Sequence, residues 1–214
     1  MDLHPFNFEA LQKKLEQLPP FHRVAFAASC CERLLPNYNA FSRKEVWGSP
    51  STLRKALDEI WQILNRNSVD VEIINELKQA CESEDVMPNE EYFCGAGYSF
   101  EGLEAANAVC YTLEACLDPT PDSIVKIAEC VCQTLDYFIG GQDEYASFRD
   151  ITWNQQVIDE YQNQIASHPF MIREMAKQSE DLKRLEESET LDKNLINWLQ
   201  TSFDNGGRSL IDLF

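Results

Sequence analysis

The chain has 214 residues, enough for one large domain or two small ones, and 44% of them are hydrophobic, an ordinary share for a protein with a sizeable core. Its net charge is −18; residues 1–50 hold six Lys/Arg against five Asp/Glu, so residues 51–214 carry −19. Such a surface repels nucleic-acid phosphates and anionic lipid, which excludes direct binding of either, and it suits solubility or a basic protein partner.

In chain order, the opening Met-Asp-Leu-His-Pro has neither a basic segment nor an apolar run, so no secretory leader is expected. Asn7 caps a first helix over Phe8–Leu18, with Phe8, Leu11, Leu15 and Leu18 on one face. Pro19-Pro20 starts the next helix, Phe21–Leu35. From Val24 to Cys31 it has no charge and mostly small residues, so neighbours can approach from every side. A helix apolar all round is a buried one, and this one is expected to be the centre of the fold. Pro36 is read as its stop, because an interior proline costs roughly 3 kcal/mol. Arg33 then suits the negative end of the dipole. Pro36-Asn37 turns the chain, Tyr38 and Phe41 fold back as anchors, and a short helical turn follows at 39–44.

Ser49-Pro50 opens a helix to about Asn65 that buries Leu53, Leu57, Ile60, Trp61 and Leu64. Another runs from Asp70 to Glu82 with Ile73, Ile74, Leu77 and Cys81 inward. Ser83–Tyr98 is read as a surface loop. Ser99–Leu117 is a helix with a polar stripe of Glu104, Asn107, Tyr111, Glu114 and Asp118. Thr120-Pro121-Asp122 caps the next helix, through Ile139, closed by Gly140-Gly141 and expected to be more buried than its partner. Gln142–Ile151 reads as a polar linker and Trp153–Ile165 as a helix. Phe170–Asp204 lacks glycine and proline and is read as one long helix, the alternative being a break at 186–190 with Thr190 as cap. Asn205-Gly206-Gly207 ends it, and Leu210, Ile211, Leu213 and Phe214 dock a tail on the body.

The run Cys31-Glu32-Arg33-Leu34-Leu35-Pro36-Asn37-Tyr38 with Phe41 resembles the signature of the bacterial YjaG-like family. The resemblance extends through Ile60-Trp61, the helix 103–117 and the ending Asn205-Gly206-Gly207-Arg208-Ser209, nearly the whole chain; 82–98 and 140–151 depart from it. It implies an all-helical bacterial protein of the cytosol and implies no activity.

Candidate chemistry is sparse. Eight cysteines suggest a disulfide framework, but without export thiols stay reduced, and most sit among apolar residues, where cysteine acts as a small hydrophobe. Zinc needs Cys/His pairs two to four apart. Cys30-Cys31 are adjacent, Cys130-x-Cys132 diverge on a helix, and His4, His22 and His168 stand alone. A carboxylate-bridged di-iron centre needs Glu-x-x-His motifs, and Met1, Pro19 and Ile165 occupy the acidic positions. Cysteine catalysis needs a base beside the thiol; Cys94, in a loop beside glycines, is the one plausible exposed thiol. Gly95-x-Gly97 lacks the third glycine and preceding strand of a dinucleotide fingerprint. No run reaches 18 apolar residues, so no membrane span is expected.

Glu32, Arg33, Asn37, Tyr38 and Phe41 remain as the polar constellation of interest, either locking the central helix to its neighbours or facing a ligand. The expectation is therefore one all-α domain over 1–214, a bundle of about eight to ten helices around the buried helix 20–35, needing no cofactor or metal. Its function is read as non-enzymatic and cytoplasmic, an acidic interaction protein for a basic protein partner. The alternative is a small-ligand-binding protein or enzyme with a pocket around Glu32, Arg33, Asn37 and Tyr38.

Overall fold

Small residues on two helices set the architecture. The computed structural model describes residues 7–89, 91–142, 154–203 and 205–214. Among them are nine helices and no strand: α1 Phe8–Gln17, α2 Pro20–Glu45, α3 Pro50–Arg66, α4 Val71–Cys81, α5 Ser99–Leu117, α6 Pro121–Gly140, α7 Gln155–Ser167, α8 Pro169–Glu186 and α9 Lys193–Thr201. The fold is all-α, as the capping residues and 3.6-residue periodicities require. Asn7, Asp70, Thr120, Asn154 and Asp192 each accept a backbone N–H of the first turn they cap.

α2 and α5 form the central pair. The Cys31 thiol meets the Thr112 hydroxyl at 3.2 Å, and Phe41 packs on Gly102. Ten residues forward on α2 thus match ten back on α5, an antiparallel register held over about 15 Å. Ala25, Ala27 and Ala28 on α2 and Ala105, Ala106 and Ala108 on α5 are fully buried, which lets the other helices close in. α6 lies against both, α3 and α4 cover one side, α8 and α9 close over α2, and α1 packs on α6. Arg23 fastens α1, donating to the carbonyls of Leu15, Glu16 and Pro119.

Several elements differ from the sequence expectation. The central helix does not stop at Pro36 or near residue 35; it continues to Glu45, and the short turn at 39–44 is its last part. Losing one backbone hydrogen bond and crowding a carbonyl costs roughly 3 kcal/mol. Leu34, Leu35, Tyr38 and Phe41 are buried on both sides of the proline, each worth roughly 1.5–3 kcal/mol, so burial wins. Arg33 is therefore in mid-helix, not at a terminus. α5, not α6, is the more buried of its pair, and Glu104 of its supposed polar stripe is buried together with Glu101. Ile73 on α4 is exposed at 37%; Ile74, Leu77 and Cys81 are the inward residues.

The segment 170–204 is not one helix. α8 ends at Glu186 and α9 begins at Lys193, capped by Asp192, whose carboxylate accepts the Leu195 N–H at 2.8 Å, rather than by Thr190. Five polar residues in a row, 186–190, offer no apolar face to hold a continuous helix. The 83–98 stretch is a run of turns that is more than surface, since Val86 and Phe93 are buried. The polar linker read at 142–151 lies outside the described residues beyond Gln142, as does Trp153, the expected start of α7.

The C-terminal tail docks through Leu210, Ile211 and the partly buried Leu213, whereas Phe214, expected to dock with them, is exposed. Leu210 and Ile211 are buried, and the Leu210 N–H donates to the Arg33 carbonyl at 3.1 Å. Ser209 accepts the N–H groups of Ile211 and Leu213, while Asn205 donates to the Ser209 carbonyl and the Asp212 carboxylate.

Candidate functional site

Ser29 and Arg33 lie one turn apart on α2 and face α8, Asn37 lies one turn further along, and Glu32 faces α3. The Arg33 guanidinium is fully buried and every donor on it has an acceptor. Its Nε and Nη2 grip both oxygens of Glu174 at 2.8 and 2.7 Å, and Nη1 donates to the Ser29 carbonyl at 2.9 Å, the Ser29 hydroxyl at 2.8 Å and Asp181 at 3.1 Å. Nη2 also meets the Cys30 sulfur at 3.4 Å. Lys177, itself buried, pairs with Asp181, and Gln178 donates to Glu174. Two cations and two carboxylates thus form a charge-balanced cluster inside the bundle. Burial works against the Arg33 charge, but Glu174, the Cys30 sulfur and Asp181 outweigh it and push the guanidinium pKa further up.

Glu32 is bound separately. Arg54 of α3 grips it with two hydrogen bonds of 2.7 and 2.9 Å, and the Trp61 indole N–H donates to it at 2.7 Å. Adjacent residues on one helix thus anchor opposite sides, Glu32 to α3 and Arg33 to α8. Tyr38, fully buried, donates its hydroxyl to the Val86 carbonyl at 2.6 Å and accepts the Ser49 N–H at 3.2 Å, fixing the turn segment and the start of α3. Burial pushes its phenol up to about 12. Gly48 lets the chain pass there: its φ is +87°, and a Cβ would sit 2.5 Å from the Tyr38 oxygen. Phe41 meets Trp47 and Phe93 edge-on, with centroids 5.7 and 5.0 Å away. The Asn37 side chain is buried with neither amide atom hydrogen-bonded among the described residues.

The five residues singled out in the sequence are therefore close along α2 but point to three different neighbours. The partners Glu174, Lys177 and Asp181 were not found from sequence. Their spacing of three and four puts them on one stripe, with Met171, Leu182 and Leu185 buried beside them, but such a stripe reads as a solvated face until a buried cation opposite requires it.

The thiols give no second centre. None of the eight cysteines forms a disulfide; seven are buried, and Cys94 is exposed. Burial pushes Cys31 and Cys116 up to about 12, which leaves them inert as nucleophiles. No group of three His, Cys, Asp or Glu among the described residues could hold a metal ion, and no helix there is long and apolar enough to cross a membrane.

Fold and site together define an all-helical bundle built on two small-residue helices and cross-linked by buried ion pairs. The model of one family, described as protein of unknown function (DUF416), matches residues 10–213, and the chain belongs to that family. It is 24% identical over 201 residues to the uncharacterized protein YjaG of Escherichia coli K12, covering 94% of each chain, and 23% identical over 205 residues to the protein of the same name from Salmonella typhimurium. A crystal structure of a DUF416 family protein from Shewanella baltica OS155 superposes with a TM-score of 0.78 at 25% identity, over 94% of this chain and 97% of that one.

Proposed function

We propose that this chain is a non-enzymatic acidic interaction protein that binds a basic protein partner, as an inhibitor, an immunity-type neutraliser or an adaptor does. The observation that carries this reading is the charge surplus, 36 Asp and Glu against 18 Lys and Arg. Ion pairs already engage Arg33, Arg54, Arg66, Lys78, Arg173, Lys177, Lys183 and Arg184. The exposed Glu72, Glu76, Glu84, Asp85, Glu186 and Glu189 make no ion pair among the described residues. A field of that sign steers a basic partner in and holds anionic surfaces off. A cytoplasmic location fits seven buried thiols that form no disulfide.

The Glu32, Arg33, Tyr38 and Phe41 group then has an architectural role, since its polar atoms are engaged by the fold itself and the clefts at α1–α8, at 88–103 and at the start of α2 lie elsewhere. Capture from a bacterial lysate, eluted by rising salt and identified by mass spectrometry, tests the reading. It expects partners of isoelectric point above about 9 that rebind when purified. Recovery of only neutral or acidic proteins, or elution indifferent to salt, would overturn it.

A further inference from the structure

A cleft of about 380 Å³ lies where the start of α2, the end of α3 and the α8–α9 connection meet. Its walls are Phe21, Leu64 and the Pro19-Pro20 pair, and its polar groups are His22, Asn65, Asn67, Glu189 and Thr190. His22 is only 4% exposed. Its Nε2 lies 3.0 Å from the Ser188 carbonyl, and a carbonyl only accepts, so Nε2 carries the proton and donates. Nδ1 is left as a bare acceptor with no partner among the described residues. Asn65 also lines the cleft: its Nδ2 donates to the Trp61 carbonyl at 2.9 Å, and its Oδ1 adds a further acceptor. Glu189 adds a carboxylate in no ion pair, and the exposed Glu186 and Glu187 stand just before it. Three elements thus bring acceptors to one cleft, the His22 Nδ1, the Asn65 amide oxygen and the Glu189 carboxylate, beside the Asn67 amide and the Thr190 hydroxyl.

An acceptor-rich, acidic cleft with an aromatic wall calls for a ligand made of donors and positive charge. We propose that this cleft receives the cationic side chain of an arginine or lysine presented by the basic partner. It rests on the interaction reading above and places it at the α2–α3–α8 corner. A guanidinium matches the arrangement best, because its planar fork can reach acceptors on separate elements while its face lies on Phe21.

The probe is a fluorescent acetylated Gly-Arg-Gly-Arg-Gly-Arg-Gly amide, titrated by anisotropy at about 50 mM salt, where surface charge is weakly screened. Glu189→Gln is compared with Glu84→Gln, which removes the same charge beside Val86. Val86 bonds Tyr38, 16 residues along α2 from His22, about 24 Å away. We expect Glu189→Gln to weaken the peptide about fivefold and Glu84→Gln less than twofold. The His22 imidazole nitrogen resonances, identified by their loss in His22→Gln, move on adding the peptide. Equal weakening by both variants would overturn the cleft and leave the acidic surface standing. Absence of any binding to the wild type would overturn the interaction reading itself. Free arginine amide binding as tightly as the peptide would reassign the cleft to a small cation and overturn the partner.

Discussion

Arg33 illustrates what a buried charge does to a helical core. Its guanidinium has given up water entirely, and only the fork on Glu174, the Ser29 oxygens and Asp181 make that tolerable. Removing it leaves two buried carboxylates against Lys177 alone. Arg33→Ala is therefore expected to cost about 3–5 kcal/mol, and Arg33→Lys to rescue little, because an ammonium cannot grip both Glu174 oxygens. Urea unfolding of both variants beside the wild type measures this; unchanged midpoints would mean the cluster does not hold α8 to α2. His22 gives a pH signature. Burial lowers its pKa below 6.5, more than the Ser188 carbonyl raises it. The unfolded chain then binds this proton more readily, so the His22 contribution is present above pH 6.5 and is lost as pH falls below it. The urea midpoint should drop between pH 7.5 and 5.5, about the window in which a histidine titrates, and His22→Gln should flatten that drop. An equally steep fall in the variant would assign it to other groups. Cys94 should be the one thiol that a disulfide reagent modifies quickly in the folded protein, with the buried seven following only on unfolding.

At the scale of elements, the α2–α5 contact decides the fold. Gly102 faces Phe41 so closely that an added Cβ would lie 3.0 Å from three of its side-chain atoms. In an exposed helix Gly→Ala stabilises by about 1 kcal/mol; here we expect Gly102→Ala to destabilise by roughly 1–2 kcal/mol through overpacking, read as a lower urea midpoint. A rise in stability would mean that Phe41 moves aside freely. Ala27→Leu and Ala28→Leu should likewise cost roughly 1–3 kcal/mol. Much of this was legible beforehand: the caps at Asn7 and Thr120 and the small-residue run of α2 all mark what their residue types indicate. The errors share one cause, that local rules are outweighed by contacts distant in sequence. Pro36 reads as a stop, but buried neighbours on both sides carry the helix through it. Glu104 reads as part of a polar stripe, yet α5 is enclosed by α2 and α6. At the site, α2 announced Glu32, Arg33 and Tyr38, while the acids that answer Arg33 come 141 and 148 residues later, where nothing local distinguishes them from surface.

At the scale of the whole molecule, the Arg33 cluster inside the bundle is electrically balanced and the chain as a whole is strongly acidic. The buried ions of that cluster cancel in pairs, Glu101 and Glu104 are buried besides, and the chain's net charge is −18. On the proposed reading, the useful property of such an acidic body is its field. That field is screened within about 10 Å at 0.1 M salt, so binding by it must be salt-sensitive in a way that binding by shape is not. The decisive measurement is the affinity of the arginine peptide for the wild-type protein as salt rises from about 50 to about 500 mM, the span over which the Debye length shrinks severalfold. The account predicts binding at low salt that weakens steadily, by about tenfold or more across the range. No binding at low salt, or an affinity that ignores salt, would contradict it.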